Sequence, residues 1–238
     1  MWISAELLTQ EAARFGVCLD ETQVMCFDAL ARELVRFNKR VNVTAIVQPD
    51  DIVKKHFADS LALFTAGIDL TNANAIDIGA GAGFPSLPLL IASDTIRITI
   101  VDSVEKKLKF AANMIDFLGL DGQTIAARAE TLASLPDHRE TYDLALSRAV
   151  ARWRIIDELT LPFVKVGGCS VLYKGNISDE ERAEGTDAQK VFGVSGRFVP
   201  YEIDEEPRML IVSEKTRKMP DCYPRPYAKI KNKPPIAR

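Results

Sequence analysis

Through the first 70 residues, apolar positions recur at steps of three and four. Val24, Phe27, Ala31 and Leu34 fall on one side of a helical projection, with Arg32, Glu33 and Arg36 on the other. That is the pattern of an amphipathic helix laid against a core. Ser4 and the run Asp20-Glu21-Thr22 are helix-starting residues and Gly16 is a stop. A second amphipathic piece is predicted from about Asp50 to Phe64. Residues 1–70 therefore read as an N-terminal helical extension, a cap or lid packed on the core.

From Ala75 the pattern changes to short apolar runs closed by turn or acidic residues: Ala75–Ile78, Arg97–Val101, Gln123–Ala126, Tyr142–Leu146 and Cys169–Tyr173. Between them Leu108, Ala111, Ile115 and Leu118 mark one helix face, and a further helix is predicted over Ile155–Val164. Strands alternating with helices imply right-handed crossovers and a mostly parallel sheet covered on both faces. Gly196–Ile203 and Arg208–Ser213 are joined only by Asp204-Glu205-Glu206-Pro207. So short a turn holds no crossover helix, and these two are antiparallel neighbours. Five parallel strands and a terminal hairpin resemble the class I methyltransferase fold, a Rossmann-like α/β sheet of seven strands. The organisation expected is a helical extension (1–70), a Rossmann-like domain (71–215) and a basic, proline-rich tail (216–238).

Composition excludes more than it assigns. At 238 residues, 47% hydrophobic and 26% charged, the chain is an ordinary globular one of one to two domains. Its four cysteines (18, 26, 169, 222) form no C-x-x-C pair and its histidines, His56 and His138, lie far apart, so neither a metal site nor a disulfide framework is predicted. The start of the chain has no signal-peptide character and the longest apolar run, Leu87–Ala92, contains Pro88. A cytoplasmic protein without a membrane partner is the expectation.

Chemistry begins at Gly79-Ala80-Gly81-Ala82-Gly83, directly after Ala75–Ile78, with prolines 85 and 88 suited to the first turn of the next helix. The spacing is G-x-G-x-G and position 84 is Phe, whereas a dinucleotide fingerprint has a third glycine there. That favours S-adenosyl-L-methionine, which has no phosphate, over NAD. Asp102 ends the second strand 23 residues after Gly79, where a carboxylate can accept both ribose hydroxyl hydrogens. Asp77 is a further acid of the loop region, in a structural role if it accepts loop amides.

The other strand ends are basic. The third ends in Arg128-Ala129-Glu130, the fourth in Ser147-Arg148-Ala149-Val150 and the fifth in Lys174-Gly175. Three cations converging on one crevice would make a positive pocket suited to a phosphodiester; the alternative is that Arg148 or Arg128 pairs with Glu130 or Asp102. No Asn/Asp-Pro-Pro-aromatic loop follows the fourth strand and no cysteine follows a proline. These absences argue against methylation of an exocyclic amine and of pyrimidine C5. A ring nitrogen such as guanine N7 has an in-plane lone pair and needs no general base, only placement.

Charge is unevenly spread. Residues 208–238 hold nine Lys/Arg against two acids, +7, which leaves −10 on residues 1–207 and a net −3. Five of the twelve prolines lie between Pro220 and Pro235, interleaved with Tyr223 and Tyr227. An extended, partly mobile basic segment with aromatics can track a phosphate backbone and stack on an unpaired base.

Seven ordered blocks of residues resemble the bacterial glucose-inhibited division protein B family of small-subunit rRNA guanine-N7 methyltransferases. They are Asn42–Ala45 with His56–Leu61, Asp77–Pro85, Asp102-Ser103 with Lys106-Lys107, Arg128–Glu130, Ser147–Ala149 with Lys174-Gly175, Arg208–Val212 and Tyr223–Arg225. The chain departs from the family at Ser86, where a glycine is usual, and at Phe37, where a tryptophan is; Ser86 can cap the following helix. The resemblance implies transfer of a methyl group from S-adenosyl-L-methionine, leaving S-adenosyl-L-homocysteine and using no metal, to N7 of one guanine in the 530 loop of 16S rRNA. It implies cofactor contacts at Gly79, Gly81, Phe84, Ala129, Glu130 and Arg148, with Asp102 and Ser103 at the ribose. RNA contacts are implied at Lys106, Arg128, Lys174, Arg208 and Arg225, and Arg148 and Lys174 would act by positioning. The partner would be 16S rRNA in the small subunit or an assembly intermediate, and the enzyme a monomer. The alternative is a methyltransferase of a small molecule or protein.

Overall fold

Alternation along the strands decides which helices lie on which face of the sheet. In a computed structural model, which describes residues 1–148 and 151–235, seven strands form one sheet: β1 (Asn74–Ile78), β2 (Arg97–Asp102), β3 (Gly122–Ala126), β4 (Tyr142–Arg148), β5 (Val164–Lys174), β6 (Val194–Ile203) and β7 (Glu206–Lys215). Their order is β3-β2-β1-β4-β5-β7-β6. The first five strands are parallel to their neighbours, and β7 runs antiparallel to β5 and to β6.

Ala75, Ile98, Ile100, Leu144, Leu146, Val171 and Val212 face one side. There they share a single apolar cluster with α1 (Ala5–Ala13), α2 (Glu21–Asn38), α5 (Ser86–Ala92) and α6 (Glu105–Leu118). Ile76, Ile78, Val101 and Ala145 face the other side, against α7 (Ala129–Leu132) and α8 (Trp153–Thr160). The N-terminal helices thus contribute to the sheet's own core and do not form a cap beside it. Ser4 and Asp20 are side-chain caps of α1 and α2, the latter with a full capping box.

Three expectations need correction. The segment predicted as an amphipathic helix over Asp50–Phe64 is helical but not amphipathic: Ile52, Val53 and every residue from His56 to Leu63 are buried. It runs as α3 (Pro49–Ile52), a π-helical stretch (Val53–Ala58), α4 (Asp59–Leu61) and a 3-10 turn (Ala62–Thr65). The helix predicted over Ile155–Val164 ends at Thr160, because Pro162 has no amide hydrogen to donate and restrains the residue before it; Val164 already belongs to β5.

The tail from 216 is not an extended solvated arm. Met219, Tyr223 and Ile230 are buried, and α10 (Tyr227–Asn232) lies against α8. The α9 helix (Asp179–Phe192) is an element that the apolar pattern does not reveal, but its ends are signalled: Ser178 caps it, three acids fill its first turn and Gly193 closes it in a left-handed conformation.

Candidate functional site

The strand order reverses between β1 and β4, and it is outside the carboxyl ends of such strands that an open α/β sheet offers a crevice. The glycine loop lies there. Gly79 N and Ala80 N donate to Val101 O at 2.8 and 3.3 Å, which ties the loop to β2. Gly83 at φ +90° is hemmed in by Leu87 and Ala111, whereas Gly81 at φ +59° faces open space, with nothing within 4 Å of where a Cβ would stand. The loop is thus glycine for conformation at both places and leaves room for a ligand at Gly81.

Behind the loop Asp77 is wholly buried. Its Oδ2 accepts from Ser86 Oγ at 2.6 Å, and its Oδ1 has no partner. Burial pushes its carboxyl up to about 7, opposed by the Ser86 hydroxyl and by Arg148. Ser86 therefore does not cap α5, as the sequence allows; its hydroxyl is turned inward to the acid.

Beside the loop opens a cleft of about 290 Å³ that brings together Gly79, Asp102, Ser103, Arg128, Ala129 and Glu130. Asp102 Oδ2 accepts from Gly81 N at 3.0 Å and Oδ1 from Val104 N at 2.8 Å. Each oxygen keeps a further lone pair for a ligand hydroxyl. The acid that accepts an amide of the glycine run itself is accordingly Asp102, while Asp77 is held at Ser86, just beyond the run. Of the lysine pair in the family block it is Lys107 that lines the cleft, while Lys106, the one expected to contact RNA, is exposed on α6. Two lining residues escape motif reasoning altogether: Leu159 comes from α8 and Tyr227 from α10.

A second pocket, of about 350 Å³, lies at the ends of β4 and β5. Arg148 stands in it, but not bare. Its Nη1 donates to Asp59 Oδ2 at 2.9 Å and its Nη2 to His56 Nδ1 at 3.2 Å. With Nδ1 accepting, the His56 proton sits on Nε2 and is donated to Thr44 Oγ1 at 2.9 Å. Burial, and then the Arg148 charge, push His56 down to about 3, so the ring is neutral at physiological pH. Phe84 is buried with its ring stacked on His56 at 4.6 Å and under the Arg148 guanidinium at 5.4 Å. It supports this pocket from within and is not part of the cleft surface.

Asp59, 2% exposed in its side chain, also accepts from Tyr201 OH at 2.9 Å and faces Arg208 at 3.7 Å. Lys174 pairs with Glu181 of α9 at 2.7 Å and donates to Ala151 O at 2.8 Å.

The picture of three free cations converging on one crevice is corrected accordingly. Arg128 belongs to the cleft, Arg148 and Lys174 to the second pocket, and the latter two are paired. The acid that holds Arg148 is neither Glu130 nor Asp102 but Asp59, from the π-helical segment's edge. Ala149 and Val150 lie outside the described residues. Arg225 is corrected too: its backbone N, Nε and Nη2 donate to Glu158, a wholly buried acid, at 2.9, 2.8 and 2.6 Å. Its remaining nitrogen donates to Pro234 O. It is a structural tie, with four of its five guanidinium hydrogens directed to Glu158 and to the carbonyls of Lys233 and Pro234. Among the described residues no group of His, Cys, Asp and Glu is arranged to hold a metal, and no helix is long and apolar enough to cross a membrane.

The model of the family described as rRNA small subunit methyltransferase G matches residues 23–210. Proteins named ribosomal RNA small subunit methyltransferase G are similar over most of their length. The one from Lactobacillus johnsonii is 40% identical, covering 98% of this chain and 100% of its own; that from Halalkalibacterium halodurans is 41% identical, covering 88% and 90%. Among solved structures, a SAM-dependent methyltransferase from Aquifex aeolicus superposes with a TM-score of 0.52 at 17% identity, covering 70% of this chain and 93% of its own. At that identity the likeness concerns the fold alone.

Proposed function

Because the chain belongs to the rRNA small subunit methyltransferase G family, we propose that it transfers a methyl group from S-adenosyl-L-methionine to N7 of one guanine of 16S rRNA, in the 530 loop. The observation that carries this reading is the cleft at the strand reversal. There Gly79, Asp102, Ser103, Ala129 and Glu130 meet beside a pocket holding Arg148, Lys174 and Arg208.

The residues fit such a cofactor in two respects. Gly81 leaves open space, and Asp102 keeps two lone pairs for ribose hydroxyls. When bound, the cofactor supplies an electrophilic methyl on a sulfonium. Gly79 and Gly81 allow close backbone approach, Asp102 and Ser103 hold the sugar, and Ala129 and Glu130 border the base. In the second pocket Arg148 is locked by Asp59 and His56, so its position is set before any ligand arrives. Lys174, held by Glu181, offers a second fixed cation. A rigid site of this kind favours placement of an acceptor that is already a nucleophile. No proton need be removed from N7, which accords with the neutral, hydrogen-bonded His56.

RNA is engaged by Lys106 and Arg128, which are exposed, by the half-buried Arg208, and by the exposed lysines of the C-terminal segment. The substrate is the small subunit or an assembly intermediate, and the enzyme acts as a monomer in the cytoplasm. The test is tritiated-methyl transfer to 30S particles from cells lacking this protein, followed by mapping of N7-methylguanine. Label at a single guanine of the 530 loop supports the reading. Label elsewhere, or transfer only to small molecules, defeats it.

A further inference from the structure

We propose that Tyr227, carried on α10, is the aromatic wall against which the adenine ring of the cofactor lies, which makes the C-terminal segment part of the cofactor site. This rests on reading the cleft as the S-adenosylmethionine site. Most of the cleft is made by the ends of β1, β2 and β3 and by the turns and first helical turns that follow them, whereas Leu159 and Tyr227 come from farther along the chain. The two needs of a nucleoside are answered by different residues. A sugar needs acceptors, which Asp102 supplies, whereas a purine needs a flat apolar face. Ile78, Val101, Ala127 and Leu159 give the cleft apolar side chains, but Tyr227 is the one aromatic ring among its described lining residues. A ring so placed can stack on a base and gain more than area burial alone.

The ring is also held still. On one side of it in sequence Arg225 is fixed to Glu158 of α8. On the other, Ile230 is buried, and Arg154 of α8 donates to Ile230 O at 2.8 Å and Lys231 O at 3.2 Å. Both clamps come from the same helix, so Tyr227 is carried between two fixed points. A pre-positioned wall binds its ligand with little ordering cost.

The experiment is calorimetric titration of S-adenosylhomocysteine into the full chain, with steady-state methyl transfer, for wild type, Tyr227→Phe, Tyr227→Leu and Tyr227→Ala. Leucine keeps the packing volume on α8 but removes the aromatic face. We expect Phe to bind like wild type, and Leu and Ala to weaken binding of S-adenosylhomocysteine by about tenfold or more, the usual loss of one base stack. The cofactor KM should rise in step, while kcat and the KM for RNA stay near wild type. The same loss should appear with 5′-methylthioadenosine, which lacks the amino-acid end. If Leu and Ala bind the product as wild type does, or lower kcat with no change in cofactor affinity, the proposal is overturned. If wild type binds no S-adenosylhomocysteine at all, it is the reading of the cleft that falls.

Discussion

Arg225→Ala separates a structural tie from an RNA contact. Glu158 is wholly buried and receives three donors from Arg225, at 2.6–2.9 Å. The substitution keeps the backbone donor but removes both guanidinium donors, leaving a carboxylate charge in the core without its counter-charge. Breaking a buried pair from one side costs about 3–5 kcal/mol, most of it the penalty of the stranded charge. For a chain of this size about 2–4 °C of Tm accompanies each kcal/mol, so a fall of roughly 6–20 °C is expected. Differential scanning calorimetry without RNA measures it, and Arg225→Met with Glu158→Met should recover most of the loss, since no charge is then stranded. A Tm drop under about 3 °C for the single variant, together with weakened RNA binding, would refute the reasoning and return Arg225 to the RNA surface. The same arithmetic rules out deleting residues 216–238 as a probe of RNA contact. The deletion also removes Met219, Tyr223 and Ile230 from the core and should unfold the protein first.

Three further outcomes are expected. Arg148→Ala should lower single-turnover methyl transfer by about tenfold or more; adding Asp59→Asn should restore stability but not transfer, and wild-type rates in the single variant would show that pairing with Asp59 is all Arg148 does. Replacing Lys229, Lys231 and Lys233 by Gln should leave Tm unchanged and reduce the slope of log affinity against log salt by about 2, and an unchanged slope would put the RNA elsewhere. Burial lifts Asp77 from 3.8 to about 7, so between those values the folded state holds a proton that the unfolded chain has released, and stability is lost as pH rises through the window. Urea titrations should therefore find Asp77→Asn gaining on wild type from pH 4 to pH 8; a difference independent of pH would remove burial as the cause.

Local signals in the sequence carried the sheet. Runs ending at Ile78 and Asp102, a loop of alternating glycines and a hairpin too short for a crossover are each readable within a few residues, and each corresponds to a strand or loop of the structure. The cleft was legible for the same reason, since most of its lining belongs to strand ends. What escaped were pairings at long separation. Asp59 and Arg148 are 89 residues apart and Glu158 and Arg225 are 67 apart, and charge alone cannot say which acid answers which cation. The tail misled through its average. Its prolines and lysines read as solvated, yet Met219, Tyr223, Tyr227 and Ile230 recur at four, four and three, an apolar series that could have predicted docking. Lys107 in place of Lys106 is a matter of helix phase, which residue type does not reveal.

The presence of Tyr227 beside Ile78 and Gly79 in one cleft also bears on the order in which the molecule comes together. A contact between positions so far apart in the chain closes a long loop, and such contacts are slow to form relative to local ones. The sheet and its glycine loop can therefore be in place while the cleft still lacks a side. Full cofactor affinity would then report completion of the whole chain's folding, and partly folded copies would be poor catalysts of methyl transfer to RNA.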